Sequence, residues 1–186
     1  MKFISPYIAF SAPSGAGKTT IAKTLQEKYK NELVISVSAT TRPRRPEERD
    51  GVDYFFLKQE EFEKAIAQNR FLEYEQVHDW YYGTLKDTVE EAVKKGKTVL
   101  FDIDVNGALS IKKHYPQAVL IFIQPPSEEA LIERLKNRKS ESEETIRKRL
   151  KRMEYEYSMV KHFDHIVVND DLQRAVREIE HIITAK

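Results

Sequence analysis

The stretch that most constrains this chain is Ser11-Ala12-Pro13-Ser14-Gly15-Ala16-Gly17-Lys18-Thr19-Thr20. It follows an apolar run, Tyr7-Ile8-Ala9-Phe10, and opens a segment with Ile21, Ala22, Leu25 and Tyr29 on one helical face. Strand, phosphate loop and helix in that order form a nucleoside-triphosphate site. Glycines at 15 and 17 let backbone N–H groups turn inward around an anion with no Cβ in the way. The helix N-terminus adds free amides and partial positive charge. Lys18 is placed to reach the terminal phosphates, and the Thr19 hydroxyl to ligate Mg²⁺. ATP is therefore the expected ligand. One position departs from the usual pattern: Ala12 stands where the loop ordinarily begins with glycine. Its methyl is tolerated only at negative φ.

Length and composition bound what the rest of the chain can be. With 186 residues it is long enough for one compact domain with a sizeable core. Its 31 basic and 30 acidic residues leave a net charge of +1, which calls for neither a nucleic acid nor a membrane partner. No cysteine is present, so disulfides and thiolate metal sites are excluded. The N-terminal residues lack the pattern of a secretory signal, and no apolar run reaches membrane-spanning length, so a cytoplasmic location is expected.

Near-continuous apolar runs at Tyr7–Phe10, Leu33–Val37, Thr98–Ile103, Val119–Ile123 and His165–Val168 read as strands covered on both faces. Helical patterns lie between them at Lys18–Tyr29, Leu85–Lys95, Glu128–Arg138 (after a Ser127 cap), Glu143–Val160 and Leu172–Ile183. This alternation predicts an α/β fold: a doubly wound P-loop core with a mostly parallel sheet flanked by helices. Two insertions interrupt it. Residues 36–83 hold an Arg-Pro-rich stretch, an Asp50-Gly51 turn, the strand-like pieces Tyr54–Phe56 and Phe71–Gln76, and a short helix at Glu60–Gln68. They predict a small mixed α+β subdomain. Residues 127–160 are highly charged and helical, a composition suited to a lid. The expected organisation is one domain, with a core of about 1–35, 84–126 and 161–186, an insert of about 36–83 and a lid of about 127–160.

Two further constellations carry chemistry. Val99-Leu100-Phe101-Asp102 is an apolar strand ending in a carboxylate, at the sheet edge where ligands bind and where a phosphate-loop protein holds Mg²⁺. Asp104, two residues on, points the same way if the chain stays extended. The second is a set of arginines, Arg42 and Arg45 in the first insertion and Arg134, Arg138 and Arg149 in the second. Phosphoryl transfer needs positive charge around donor and acceptor, because the protein contributes mainly positioning and electrostatics.

Combined with Ser36–Arg45, Glu48–Tyr54, Phe71–Tyr74, Tyr81–Thr84, Leu100–Asp104, Arg134–Leu150 and Ile166–Asp171, these features resemble the guanylate kinase family over nearly the whole chain. The resemblance implies transfer of the γ-phosphoryl group of ATP to GMP, and to dGMP, giving ADP and GDP, with Mg²⁺ held by Thr19 and Asp102. It implies that Arg42, Arg45, Tyr54 and Tyr82 hold the GMP phosphate, and that Ser38, Glu73, Thr84 and Asp104 read the guanine. It implies ATP contacts from Ser14, Gly15, Ala16, Gly17, Lys18, Thr19, Thr20, Arg134, Arg138 and Asn169, and catalytic roles for Lys18, Arg42, Arg138 and Arg149. The chemistry is consistent. Guanine offers N1–H and N2–H₂ as donors and O6 as acceptor. A carboxylate such as Glu73 accepts from both donors, and the hydroxyls of Ser38 or Thr84 donate to O6. Arginine forks suit a phosphate monoester. Lys139 departs from the family, which commonly has glycine there. ATP and GMP are then the small-molecule partners, with no nucleic acid or membrane, and with monomer and homo-oligomer both open. Two other readings stay open here: a catalytically inactive binding module of the same fold, and a P-loop kinase of a sugar phosphate.

Overall fold

The computed structural model describes residues 2–77, 79–127, 129 and 143–185, with residues 143–150 described through their backbone only. Five strands build one sheet: β1 (Tyr7–Ser11), β2 (Leu33–Ile35), β7 (Thr98–Asp102), β8 (Val119–Gln124) and β9 (His165–Val168). Every pairing in it is parallel, in the order β2-β7-β1-β8-β9, with β1 at the centre. The apolar runs are continuous because both faces are covered. On one face Ile8, Phe10, Leu100, Ile121 and Val167 pack with Ile21 and Leu25 of α1 (Lys18–Lys28) and Ala175, Ile179 and Ile183 of α6 (Leu172–Ile183). On the other, Tyr7, Ala9, Val99, Phe101 and Leu120 meet Val89 of α3 (Lys86–Lys94) and Ala108 and Ile111 of α4 (Val105–His114).

Between β2 and α3 the chain builds a second, mixed sheet. It comprises β3 (Ala39–Thr40), β4 (Phe55–Phe56), β5 (Phe71–Val77) and β6 (Trp80–Leu85), in the order β4-β3-β6-β5. Helix α2 (Gln59–Ala67) covers it through Phe62 and Ala65, and the Phe62 ring stacks on Phe71 at 4.3 Å between centroids. Gly83 is essential to this packing. A Cβ there would lie 2.8 Å from the Glu73 carbonyl oxygen and from the Tyr74 Cβ, so β5 and β6 could not stay paired.

Most expected elements stand within two residues of where the periodicity places them. Helix α4 was not expected, and its cap fixes the place of Asp104. The strand ends at Asp102, and Asp104 (φ −79°, ψ 178°) is the N-cap of α4, its Oδ1 accepting from the Gly107 N–H at 2.8 Å. The second insertion is described only from Glu143 onward, as α5 (Glu143–Ser158), apart from Ser127 and the isolated residue 129. The helix expected over Glu128–Arg138, with Arg134 and Arg138, lies outside the described residues, as does Lys139.

Candidate active site

The phosphate loop runs from the end of β1 to the start of α1, and its shape depends on two glycines. Gly15 and Gly17 both sit at φ +91°, and Gly17 is the N-cap of α1. A side chain at Gly17 is excluded twice, by that backbone conformation and because its Cβ would run into the Asn169 amide nitrogen. Ala12 is absent from the residues with positive φ and is buried in the core beside Ala16, so its methyl is accommodated. Asn169 follows β9, is buried, and donates from Nδ2 to the Ala16 carbonyl oxygen at 2.7 Å. It is a strut beneath the loop. Asn169→Ala is expected to destabilise the fold by about 1–3 kcal/mol, the cost of leaving a buried acceptor unpaired. It should also weaken binding of a nucleoside triphosphate at the loop; denaturant melts and a titration with ATP check both.

The parallel register sets Phe10 beside Asp102 and so brings the carboxylate to the mouth of the loop. Asp102 Oδ1 lies 2.5 Å from Lys18 Nζ, and Oδ2 accepts from the Thr19 hydroxyl at 2.7 Å. Lys18 Nζ also donates to the Ile103 carbonyl oxygen at 2.8 Å. Among the described residues no group of three or more His, Cys, Asp or Glu side chains could hold a metal. The Thr19–Asp102 pair offers hard oxygens and little else, which fits Mg²⁺. That ion keeps waters and phosphate oxygens in its shell instead of taking a full protein cage.

Opposite this edge lies a cleft of about 290 Å³. Lys18 of α1, Asp102 at the end of β7 and Asp104 at the cap of α4 line it from the core, and Ser38, Tyr54, Glu73, Glu75 and Tyr82 line it from the first insertion. Glu73 pairs with Thr84 across β5 and β6, and the Thr84 hydroxyl donates to Glu73 Oε1 at 2.6 Å. Thr84 is fully buried. It orients the Glu73 carboxylate and does not line the cleft, whereas Ser38 places an aliphatic hydroxyl on the cleft wall. Burial pushes the Glu73 carboxyl above its ordinary value, and the nearby charges of Asp104 and Glu75 add to the rise.

Arg42 is held on several sides. Nη2 lies 2.6 Å from Glu48 Oε1, Nη1 donates to the Pro43 carbonyl oxygen at 2.8 Å, and the guanidinium sits 5.5 Å from the centre of the Tyr54 ring. Tyr54 meets Tyr82 edge-on at 6.1 Å. Arg45 is exposed, and its backbone N–H donates to Glu48 Oε2 at 2.8 Å. Glu48 thus organises the basic loop, with its own carbonyl accepting from Arg44 at 2.6 Å. The Arg42 hydrogen bond holds the Glu48 carboxyl below the usual carboxylate range. Sequence reading assigned Glu48 and Glu75 no role. For Glu48 the available signal was an acid placed among Arg42, Arg44, Arg45 and Arg49. Arg149 lies in α5, where only its backbone is described.

Comparison with known proteins agrees with this geometry. The guanylate kinase family model matches residues 5–186. A guanylate kinase of Chlorobaculum tepidum is 54% identical over 170 residues, 91% of this chain and 87% of that one. One of Thermotoga maritima is 46% identical over 174 residues, 94% of this chain and 84% of that one. The crystal structure of guanylate kinase from Anaplasma phagocytophilum superposes with a TM-score of 0.73 at 32% identity, covering 97% of this chain and 85% of that one.

Proposed function

Because the chain belongs to the guanylate kinase family and so transfers the γ-phosphoryl group of ATP to GMP, we propose the following division of labour within its cleft. The phosphate loop from Ser14 to Thr20, with Lys18, binds the ATP phosphates. Asn169 holds the loop from below. Thr19 and Asp102 hold Mg²⁺, which when bound neutralises charge on the phosphates. Arg42, Arg45, Tyr54 and Tyr82 take the phosphate of GMP. Glu73, set by Thr84, accepts from guanine N1–H and N2–H₂, Asp104 accepts from the second N2–H, and Ser38 donates to O6. Arg134, Arg138 and Arg149 close on the transferring group from residues 127–160, acting as a lid over a core that carries residues 36–83 as the GMP-binding insert.

The phosphate oxygen of GMP attacks the γ-phosphorus of ATP in line, the bond from that phosphorus to the β-phosphate oxygen breaks, and ADP leaves. The attack needs no general base, because a phosphate monoester is largely dianionic near neutral pH. Closure removes water that would otherwise hydrolyse ATP. One observation carries the proposal: Lys18 and Asp102 share a single cleft with Glu73, Tyr54 and Tyr82. An inactive binding module would have no need of a formed Lys18–Asp102–Thr19 cluster, and a sugar-phosphate kinase no need of a half-buried carboxylate aligned by a hydroxyl. ADP release with ATP, Mg²⁺ and a panel of GMP, dGMP, AMP, CMP and UMP tests it. Turnover is expected with GMP and dGMP alone. Comparable turnover with AMP would refute the base-reading assignments.

A further inference from the structure

Helix α5 reaches the guanine side of the cleft through one side chain that has no part in the division of labour above. Arg152 Nη2 lies 3.2 Å from Asp104 Oδ2, and Arg152 Nε lies 3.4 Å from Glu156 Oε1, one turn along the same helix. Asp104 is therefore gripped at both oxygens, Oδ1 by the Gly107 amide at the start of α4 and Oδ2 by Arg152. The face of α5 that carries Arg152 is anchored. Met153 is buried, the Tyr155 hydroxyl donates to Asn106 Oδ1 at 2.6 Å, and the Tyr157 ring lies 5.7 Å from Phe122. Glu156 is 5% exposed, an unusual place for a carboxylate. Burial raises its proton affinity, and the nearby guanidinium opposes that rise.

From this arrangement we infer that Arg152 is a positioning residue for guanine recognition: it aims the Asp104 carboxylate into the cleft, with Glu156 as its buried anchor. The inference rests on the proposal that Asp104 accepts from the guanine 2-amino group. Two magnitudes decide what kind of effect to expect. The Arg152 side chain is 56% exposed, and ion pairs so placed add little to stability. Asp104, by contrast, must present a lone pair to one N–H of a purine, and hydrogen bonds that involve a charged group are the strong, geometry-dependent ones. The consequence belongs to substrate discrimination and hardly to folding. Arginine can serve both carboxylates at once because its planar fork offers donors on two edges.

The test compares GMP with IMP, which keeps N1–H and O6 but lacks the 2-amino group. Initial rates are measured for the parent enzyme, Arg152→Ala, Arg152→Lys, Asp104→Asn and the Arg152→Ala/Asp104→Asn double variant. Arg152→Ala is expected to raise KM for GMP about tenfold, with KM for ATP, kcat and KM for IMP within about twofold. Arg152→Lys should recover most of the loss, and the double variant should be no worse than Asp104→Asn alone. Equal losses on GMP, IMP and ATP would make Arg152 merely structural and overturn the inference. So would a normal KM for GMP in Arg152→Ala beside a raised one in Asp104→Asn. A normal KM for GMP in Asp104→Asn would instead remove the guanine-reading role of Asp104 itself, and the inference with it.

Discussion

Lys18→Met is expected to lower kcat about 10³-fold or more while leaving GMP affinity within about twofold. The methionine keeps the length and apolar stem of lysine and removes only the charge. In the structure that charge lies 2.5 Å from Asp102 and 2.8 Å from the Ile103 carbonyl oxygen, at the mouth of the phosphate loop. In the proposed division of labour it follows negative charge onto the leaving β-phosphate oxygens, and such stabilisation acts on the transition state more than on ground-state binding. Lys18 also lines the cleft, but Glu73, Tyr54 and Tyr82 are set by the second sheet and do not depend on it. Stopped-flow or coupled-assay turnover, paired with a GMP titration, separates the two effects. Loss of both together would mean that Lys18 maintains the cleft as a whole.

Glu73→Gln is expected to lower kcat/KM for GMP about 10³-fold, with little change in KM for ATP. Two hydrogen bonds to a carboxylate are at stake, at about 1.5–3 kcal/mol each. The glutamine can accept one and presents an N–H where guanine also offers an N–H. The fold should survive, because a glutamine oxygen still accepts from the Thr84 hydroxyl. Stability at neutral pH should not fall. Burial raises the folded-state affinity of Glu73 for its proton, so stability is lost as the pH climbs from the ordinary carboxyl value through the raised one and stays lost above it, and glutamine removes that cost. The same shift sets a pH signature. As pH falls through the raised value Glu73 becomes protonated and loses acceptor capacity. KM for GMP should therefore rise on acidification earlier than an ordinary glutamate would dictate, and this limb should be missing in Glu73→Gln. Glu75 and Asp104 share the cleft, and their negative charges add to the rise at Glu73.

The phosphate loop, Asp102 and the parallel sheet were legible because each is written locally. A Gly-rich turn between an apolar strand and an amphipathic helix leaves few alternatives, and a strand buried on both faces reads as an unbroken apolar run. Helix α4 was hidden because it begins Asp104-Val105-Asn106-Gly107, residues that read as a turn. Only Ala108 and Ile111 then mark its buried face. Strand β3 is two residues long and is recognisable only through its pairing with β4 and β6. The arrangement around Thr84 was invisible for a different reason. A hydroxyl can serve a base or a neighbouring carboxylate equally well, and only the β5–β6 register shows that it serves Glu73. Arg152 and Asp104 are 48 residues apart, and Arg152 sits in a run of charges that reads as a solvated helix face. Pairings of that kind follow from the fold and from no local pattern.

We propose that one cleft holds two separable sites, a phosphate loop for ATP and a carboxylate-centred pocket for guanine. Calorimetric titration of GMP into the parent protein, Lys18→Met and Glu73→Gln, with AMP as control, distinguishes them. The expected result is GMP binding that is nearly unchanged in Lys18→Met and lost over the same concentration range in Glu73→Gln, with weak AMP binding throughout. GMP binding of parental strength in Glu73→Gln would contradict the account.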